Sequence, residues 1–250
     1  MEARFPHAVL YGPEIFGGFG WKHPYFLQEI KHAIVLIEES VNKASQTGQL
    51  LRQIAELFRV DLGIDLDLTM PSKYFLQYAP SCWYSDFWKF TSKFHLEIVE
   101  DYPTIPLLRE NDVYLMKEFV RAGFKKKELI RLNHVRKYLK VVSLADIATI
   151  DGTAISSMAY ICLEGNGFRL DYDWPAAPLT LPVPLLDTWQ TALRQTFGAY
   201  LCRNHDRRLD YNFRLGSWTI PSLTDNWRWF FSPAEDRVYK RSGAFWKVFF

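Results

Sequence analysis

Cysteine is scarce in this chain, and the three residues present are scattered. Cys82, Cys162 and Cys202 are far apart and odd in number. Such spacing supplies neither a disulfide framework nor a zinc cluster and fits a reducing, intracellular compartment. Long apolar runs are also missing. No stretch approaches the roughly 20 residues a membrane span needs, and the opening MEARFPHAVLYGP lacks the basic region and apolar core of a secretory signal. Charge of either sign is almost balanced, with 30 Lys and Arg against 28 Asp and Glu for a formal +2. Any affinity for nucleic acid must therefore rest on where charge sits, not on its total.

Catalytic signatures are absent too. The sequence holds no Asp-Asp pair, GxSxG, HExxH, CxxC or P-loop. Without Asp-Asp, the paired-carboxylate, two-metal core of a polymerase is not supplied here. His7, His23, His32, His95, His134 and His205 have no metal-ligand spacing to one another. Gly17-Gly18-Phe19-Gly20 lacks the strand and Lys-Ser/Thr context of a phosphate loop and reads as a tight turn. Asp61, Asp65 and Asp67 in DLGIDLDLT could hold a divalent ion, but their alternation with apolar residues favours a short amphipathic strand or loop. No catalytic residue, metal site or cofactor is assigned.

What the chain does have is apolar and aromatic residues at helical spacing. Hydrophobic residues make up 48 %, enough for a packed core. Aromatic residues reach 16 %, which suits either that core or platforms on which bases stack. The spacing predicts a helix near Phe26–Ser40 that buries Leu27, Ile30, Ile34 and Ile37. A second, at Gln49–Phe58, would form an antiparallel pair with it. Cys82–Phe94 reads as an aromatic helix, with Trp83, Phe87, Phe90 and Phe94 on one face.

The segment Arg121–Ile155 is the most distinctive. Between Arg121 and Lys140, the cations Arg121, Lys125, Lys126, Lys127, Arg131, Arg136, Lys137 and Lys140 are opposed only by Glu128. Leu129, Leu132, Val135, Leu139 and Val142 recur at threes and fours, so the helix can dock by that stripe and present its charge elsewhere. Asn111–Arg121 before it reads as another helix, with Asn111 a candidate N-cap and a Gly123 turn between the two. The pair is a helix-turn-helix-like unit that could lie on a phosphate backbone.

After Thr149 the character changes. Asp151-Gly152 marks a turn, and Trp174–Pro184 holds four prolines and reads as extended. A helix over Leu186–Tyr200 would bury Trp189, Leu193 and Phe197. The last runs, WRWFF, RVYKR and FWKVFF, suggest a three-stranded antiparallel meander. The expected fold is mainly α with this small C-terminal meander. It divides into a helical domain over 1–150 and a Pro/Trp-rich α+β region over 151–250.

Four stations along the chain carry a resemblance. They are AVLYGPEIFGGFGW (Ala8–Trp21), PLLRENDVYLMKEFVRAGF (Pro106–Phe124), LIRLNHVRKYLKVVSLADIATIDGTAI (Leu129–Ile155), and the closing series LGSW, WRWFF, DRVY and Trp246. In this order they resemble the region downstream of the polymerase palm in reverse-transcriptase polyproteins of eukaryotic retroelements, of the kind known from algae, oomycetes and fungi. The Pro-rich stretch departs from the family in carrying little Arg or Gln. The resemblance implies a C-terminal, non-catalytic piece of an RNA-directed DNA polymerase, with polymerisation carried by residues outside this chain. Its early helices would be thumb-like. Lys125, Lys126, Lys127, Arg131, Arg136, Lys137 and Lys140 would hold DNA or an RNA–DNA hybrid by its phosphates. The upstream polymerase domain is a further expected partner, and a membrane is not. The alternative reading is a protein-interaction module using Trp227, Trp229, Tyr239 and Trp246 of the meander.

Overall fold

The computed structural model describes residues 6–42, 44–66, 72–96, 105–165, 167, 169, 172–175, 183–198, 200–201 and 207–219. Helices dominate: α1 (His7–Tyr11), α2 (Pro24–Val41), α3 (Gln46–Leu62), α4 (Trp83–Phe94), α5 (Leu115–Arg121), α6 (Lys126–Leu139) and α7 (Val183–Phe197). Three two-residue strands, β1 (Ala154–Ile155), β2 (Tyr200–Leu201) and β3 (Arg207–Arg208), form one antiparallel sheet in the order β1-β3-β2. The mainly helical class with a small antiparallel sheet is thus the one expected. The meander over 227–250, with Trp227, Trp229, Tyr239 and Trp246, lies outside the described residues. Among the described residues no helix is long and apolar enough to cross a membrane.

The chain forms two compact units, Met1–Ile105 and Pro106–Phe250. A boundary at 150 does not coincide with them, for a physical reason. Arg109 donates to the carbonyls of Thr149 and Ile150 and to that of Gly216, so residues on both sides of 150 share one set of contacts.

In the first unit α2 and α3 form a helical hairpin. His23 caps α2 by accepting the Tyr25 N–H at 3.2 Å, and Pro24 occupies the first turn, where no N–H is needed. Helix α3 starts at Gln46, so Gly48 lies inside it. A Cβ there would sit 2.7 Å from the Glu39 carbonyl oxygen and 2.9 Å from that of Asn42, so glycine is required by the close approach of α2. The aromatic helix α4 forms as predicted, but its buried arc is Tyr84, Phe87, Trp88 and Phe90. Trp88 stacks on Phe75 and Tyr84 packs against Phe58.

One expectation fails in this unit. Leu27, Ile30, Ile34 and Ile37 of α2 are exposed by 38, 49, 46 and 53 %. The inward face of α2 instead holds Leu36 and Glu29, the latter paired with His32 at 3.3 Å. His32 in turn lies against Trp83 and Phe87 of α4. Aromatic contacts to α4 turn the helix, and the aliphatic line is left outside.

The second unit is built on α5, α6 and α7. Leu129, Leu132, Val135, Leu139 and Val142 are all buried, as their spacing predicts. So are Trp189, Leu193 and Phe197 of α7, which meet Phe119 of α5 with ring centroids 5.9 Å (Trp189) and 6.1 Å (Phe197) apart. Helix α7 stops at Gly198, in the left-handed region at φ +61°, so Tyr200 belongs to β2 and not to the helix.

Candidate nucleic-acid interface

The helix-turn-helix-like unit is present and its turn is tight. Ala122 donates to the Glu118 carbonyl at 2.8 Å, and Gly123 at φ +84° reverses the chain at a point open to solvent. Helix α5 begins at Leu115, later than the expected Asn111. Asn111 itself sits in the left-handed region at φ +61°, a conformation asparagine tolerates, and takes no helical place. Helix α6 is capped by Glu128, whose carboxylate accepts the Lys125 N–H at 2.8 Å. It ends at Lys140, which adopts φ +55° without being glycine.

The predicted cations separate into two kinds. Lys125, Lys126, Lys127, Arg131 and Lys140 are exposed and Lys137 is half-buried. At 100° per residue, Lys127, Arg131, His134 and Lys137 share the face opposite the buried stripe. Arg136 does not belong with them. It is 0 % exposed, donates to Asn133 Oδ1 at 2.9 Å and to the Val141 carbonyl at 3.1 Å, and lies over the Trp174 ring. A guanidinium committed to these partners ties the C-terminus of α6 and cannot reach a phosphate. Its place as a binding residue is therefore withdrawn.

Behind the basic helix lies a buried polar network that fixes its position. Asp112 Oδ1 accepts the N–H groups of Val113 and Ala145, and Oδ2 that of Leu108, at 2.9–3.0 Å. Asp146 Oδ2 accepts those of Val142 and Ser143. Arg169 pairs with Asp146 at 3.2 Å and donates to the Pro106 carbonyl at 2.7 Å. Backbone pairing of Leu115 with Val142 and of Leu144 with Val113 closes the entry of α5 onto the exit of α6. Burial, chiefly, pushes the Asp112 carboxyl above its ordinary value, and burial also lowers the Arg109 guanidinium. Asp151 at the exposed turn is pushed up by burial, yet held below its ordinary value overall by the Thr149 and Thr153 hydroxyls.

Sequence reasoning missed this network. Ser143-Leu144-Ala145-Asp146 has the Ser-x-x-Asp spacing of a capping box and was a visible signal. Nothing local points to Arg169, whose partners are 23 and 63 residues away. The segments Pro106–Phe124 and Leu129–Ile155 thus commit Arg109, Asp112, Asn133, Arg136 and Asp146 to buried contacts, and leave Arg121, Arg131 and Lys140 exposed.

Elsewhere among the described residues no metal site gathers. Asp65 lies 3.7 Å from Arg59, Asp61 is in the last turn of α3, and Asp67 is outside the described residues. Among the described residues no group of three His, Cys, Asp or Glu is placed to hold a metal ion. Comparison with protein-family models, with curated proteins and with solved structures finds no match to this chain.

Proposed function

We propose that this chain is a non-catalytic, nucleic-acid-binding region of a retroelement reverse transcriptase, acting inside the cell. It holds template–primer or target DNA through the phosphate backbone, with Lys125, Lys126, Lys127, Arg131, Lys137 and Lys140 as the contacting residues. One observation carries the reading. Three lysines crowd the N-terminal end of α6, where the positive end of the helix dipole makes cations unfavourable by several tenths of a kcal/mol each. Their placement costs stability, whereas a phosphate at that end would be met by helix dipole and lysines together. Exposed Lys127 and Arg131 with half-buried Lys137 extend the same field along the helix. The rings among these cations are few: half-buried Phe124, packed on Phe119, half-buried Tyr138 and exposed His134, so the cations outnumber them and backbone contact is favoured over base stacking.

Fluorescence anisotropy with short duplex DNA and with an RNA–DNA hybrid, at two salt concentrations, tests the reading. Six phosphate contacts give a log–log salt slope of about −5. The variant K127A/R131A/K137A should bind more weakly to every sequence, with a slope shallower by about 2 to 3. Equal affinity of that variant and the wild type at low salt removes α6 as the interface.

A further inference from the structure

Among the described residues five arginines are buried: Arg59, Arg109, Arg136, Arg169 and Arg207. Four of them are bonded to oxygen. Arg59 donates to the Leu66 carbonyl, Arg109 to that of Gly216, Arg136 to that of Val141, and Arg169 to that of Pro106 and to Asp146. Arg207 of β3 is the exception. It is 7 % exposed, its Nε is shut from solvent, and no carbonyl or carboxylate among the described residues accepts from it. What it has is a ring. Its Cζ lies 3.4 Å from the centroid of Tyr160. Tyr160 is itself buried and belongs to the π-helical turn Met158–Cys162. Helix α7 fixes that turn, since Trp189 donates to the Ala159 carbonyl at 3.2 Å and Gln190 to that of Tyr160 at 3.0 Å. On the strand side, β3 pairs Arg207 with buried Ile155 of β1. The ring and the guanidinium are thus each set by the fold.

We propose that Arg207 is an anion site, which takes one phosphate monoester on the edge of its guanidinium while Tyr160 holds the face. Stacking satisfies the face alone. The N–H donors lie in the guanidinium plane, and a ring beneath them accepts none of them. A buried cation with unused donors is unfavourable until an acceptor arrives. Nε is the one nitrogen of the three wholly shut off without a partner, so the two Nη groups stand at the opening. Their fork matches the paired oxygens of a phosphate or a carboxylate. Local charge chooses between these two. Residues 207–214 carry three arginines against Asp210 alone, which favours the ligand of greater negative charge. The site uses none of the α6 cations, so it stands whether or not α6 grips a duplex. A strand end and a free nucleotide offer the same chemical group.

An NMR titration of the full chain with inorganic phosphate tests the site, read at the Arg207 Nε–H resonance assigned through its own backbone. The resonance should move saturably with a Kd of about 1 mM or tighter, and chloride at matched ionic strength should leave it in place. No movement up to about 10 mM phosphate overturns the proposal. Acetate that moves it as far as phosphate overturns the choice of phosphate. R207K keeps the charge and loses the fork, so with a native circular dichroism spectrum it should bind at least tenfold more weakly. Wild-type affinity in folded R207K overturns the site; if that variant does not fold, the wild-type titration decides alone. The two sources separate in K127A/R131A/K137A, where α6 no longer reports. There, a short oligonucleotide ending in a phosphate monoester should move the resonance, and adenosine monophosphate moving it equally assigns the site to free nucleotide. The same strand ending in a hydroxyl should not move it; if it does so equally, the monoester is overturned.

Discussion

A carboxylate that accepts three backbone N–H groups cannot become its amide without turning one acceptor into a donor. Asp112→Asn should therefore cost about 2–3 kcal/mol, measured by urea unfolding. The same variant tests a pH effect. Burial raises the Asp112 carboxyl in the folded state, so its contribution to stability is fully present below the unfolded carboxylate value, about 4, and is lost as pH rises through the higher folded value. Asp112→Asn should remove that falling component from a stability-versus-pH curve; an identical pH dependence in both proteins counts against it. Lys140 offers the opposite case. Its left-handed backbone costs about 1 kcal/mol that glycine would not incur. Lys140→Gly should raise the unfolding midpoint while weakening nucleic-acid binding, two effects of opposite sign from one side chain. Arg136 was not legible as a core residue, because a cation within a run of cations looks solvated. Its burial is decided by the Val141 carbonyl and the Trp174 ring, and the latter lies 38 residues on. Arg136→Lys should lower thermal stability, since one ammonium cannot replace the guanidinium fork, yet leave the salt slope of the folded fraction unchanged.

Elements were more legible than residues. Helices α6 and α7 follow from their apolar spacing, since the same stripe that marks each helix is the one its neighbours bury. On α2 the spacing was equally clear and the inference of burial within the chain was wrong. A periodic stripe shows that a face is apolar and says nothing about which body covers it; here aromatic contacts from α4 claim the adjacent face. The sheet could not be foreseen at all. Each strand has two residues, too few to show a period of two, and β1 pairs with β3 across 52 to 54 positions even though β2 meets β3 across only 6 to 8. The three-lysine start of α6 belongs to this scale as well. Replacing Lys125, Lys126 and Lys127 by glutamine should lengthen helix life in hydrogen exchange through relief at the positive dipole end, while reducing affinity for duplex DNA. A loss of α6 protection would show that those lysines serve the fold.

Across the whole molecule, each unit has its own buried set: Phe58, Tyr84 and Trp88 in the first, Phe119, Trp189 and Phe197 in the second. Destabilisation should stay local to one of them. In Asp112→Asn, amide exchange should speed up through α5, α6 and α7 and remain unaltered through α2, α3 and α4. Equal acceleration in both would mean one cooperative body. The second unit also closes on itself from its two flanks. Glu110 and Gly216 exchange backbone hydrogen bonds with the opposite segment, Thr219 donates to the Leu108 carbonyl, and Arg109 lies over Trp218. These partners stand more than 100 residues apart. On a growing polypeptide, Arg109 must therefore wait for nearly all of the described second unit to be made before its carbonyl partner at Gly216 exists. Loops of that length close slowly. Until they do, Arg109 has its Thr149 and Ile150 carbonyls but not that of Gly216, so a chain ending at Phe213 would carry the basic helix without the clasp that finishes its scaffold.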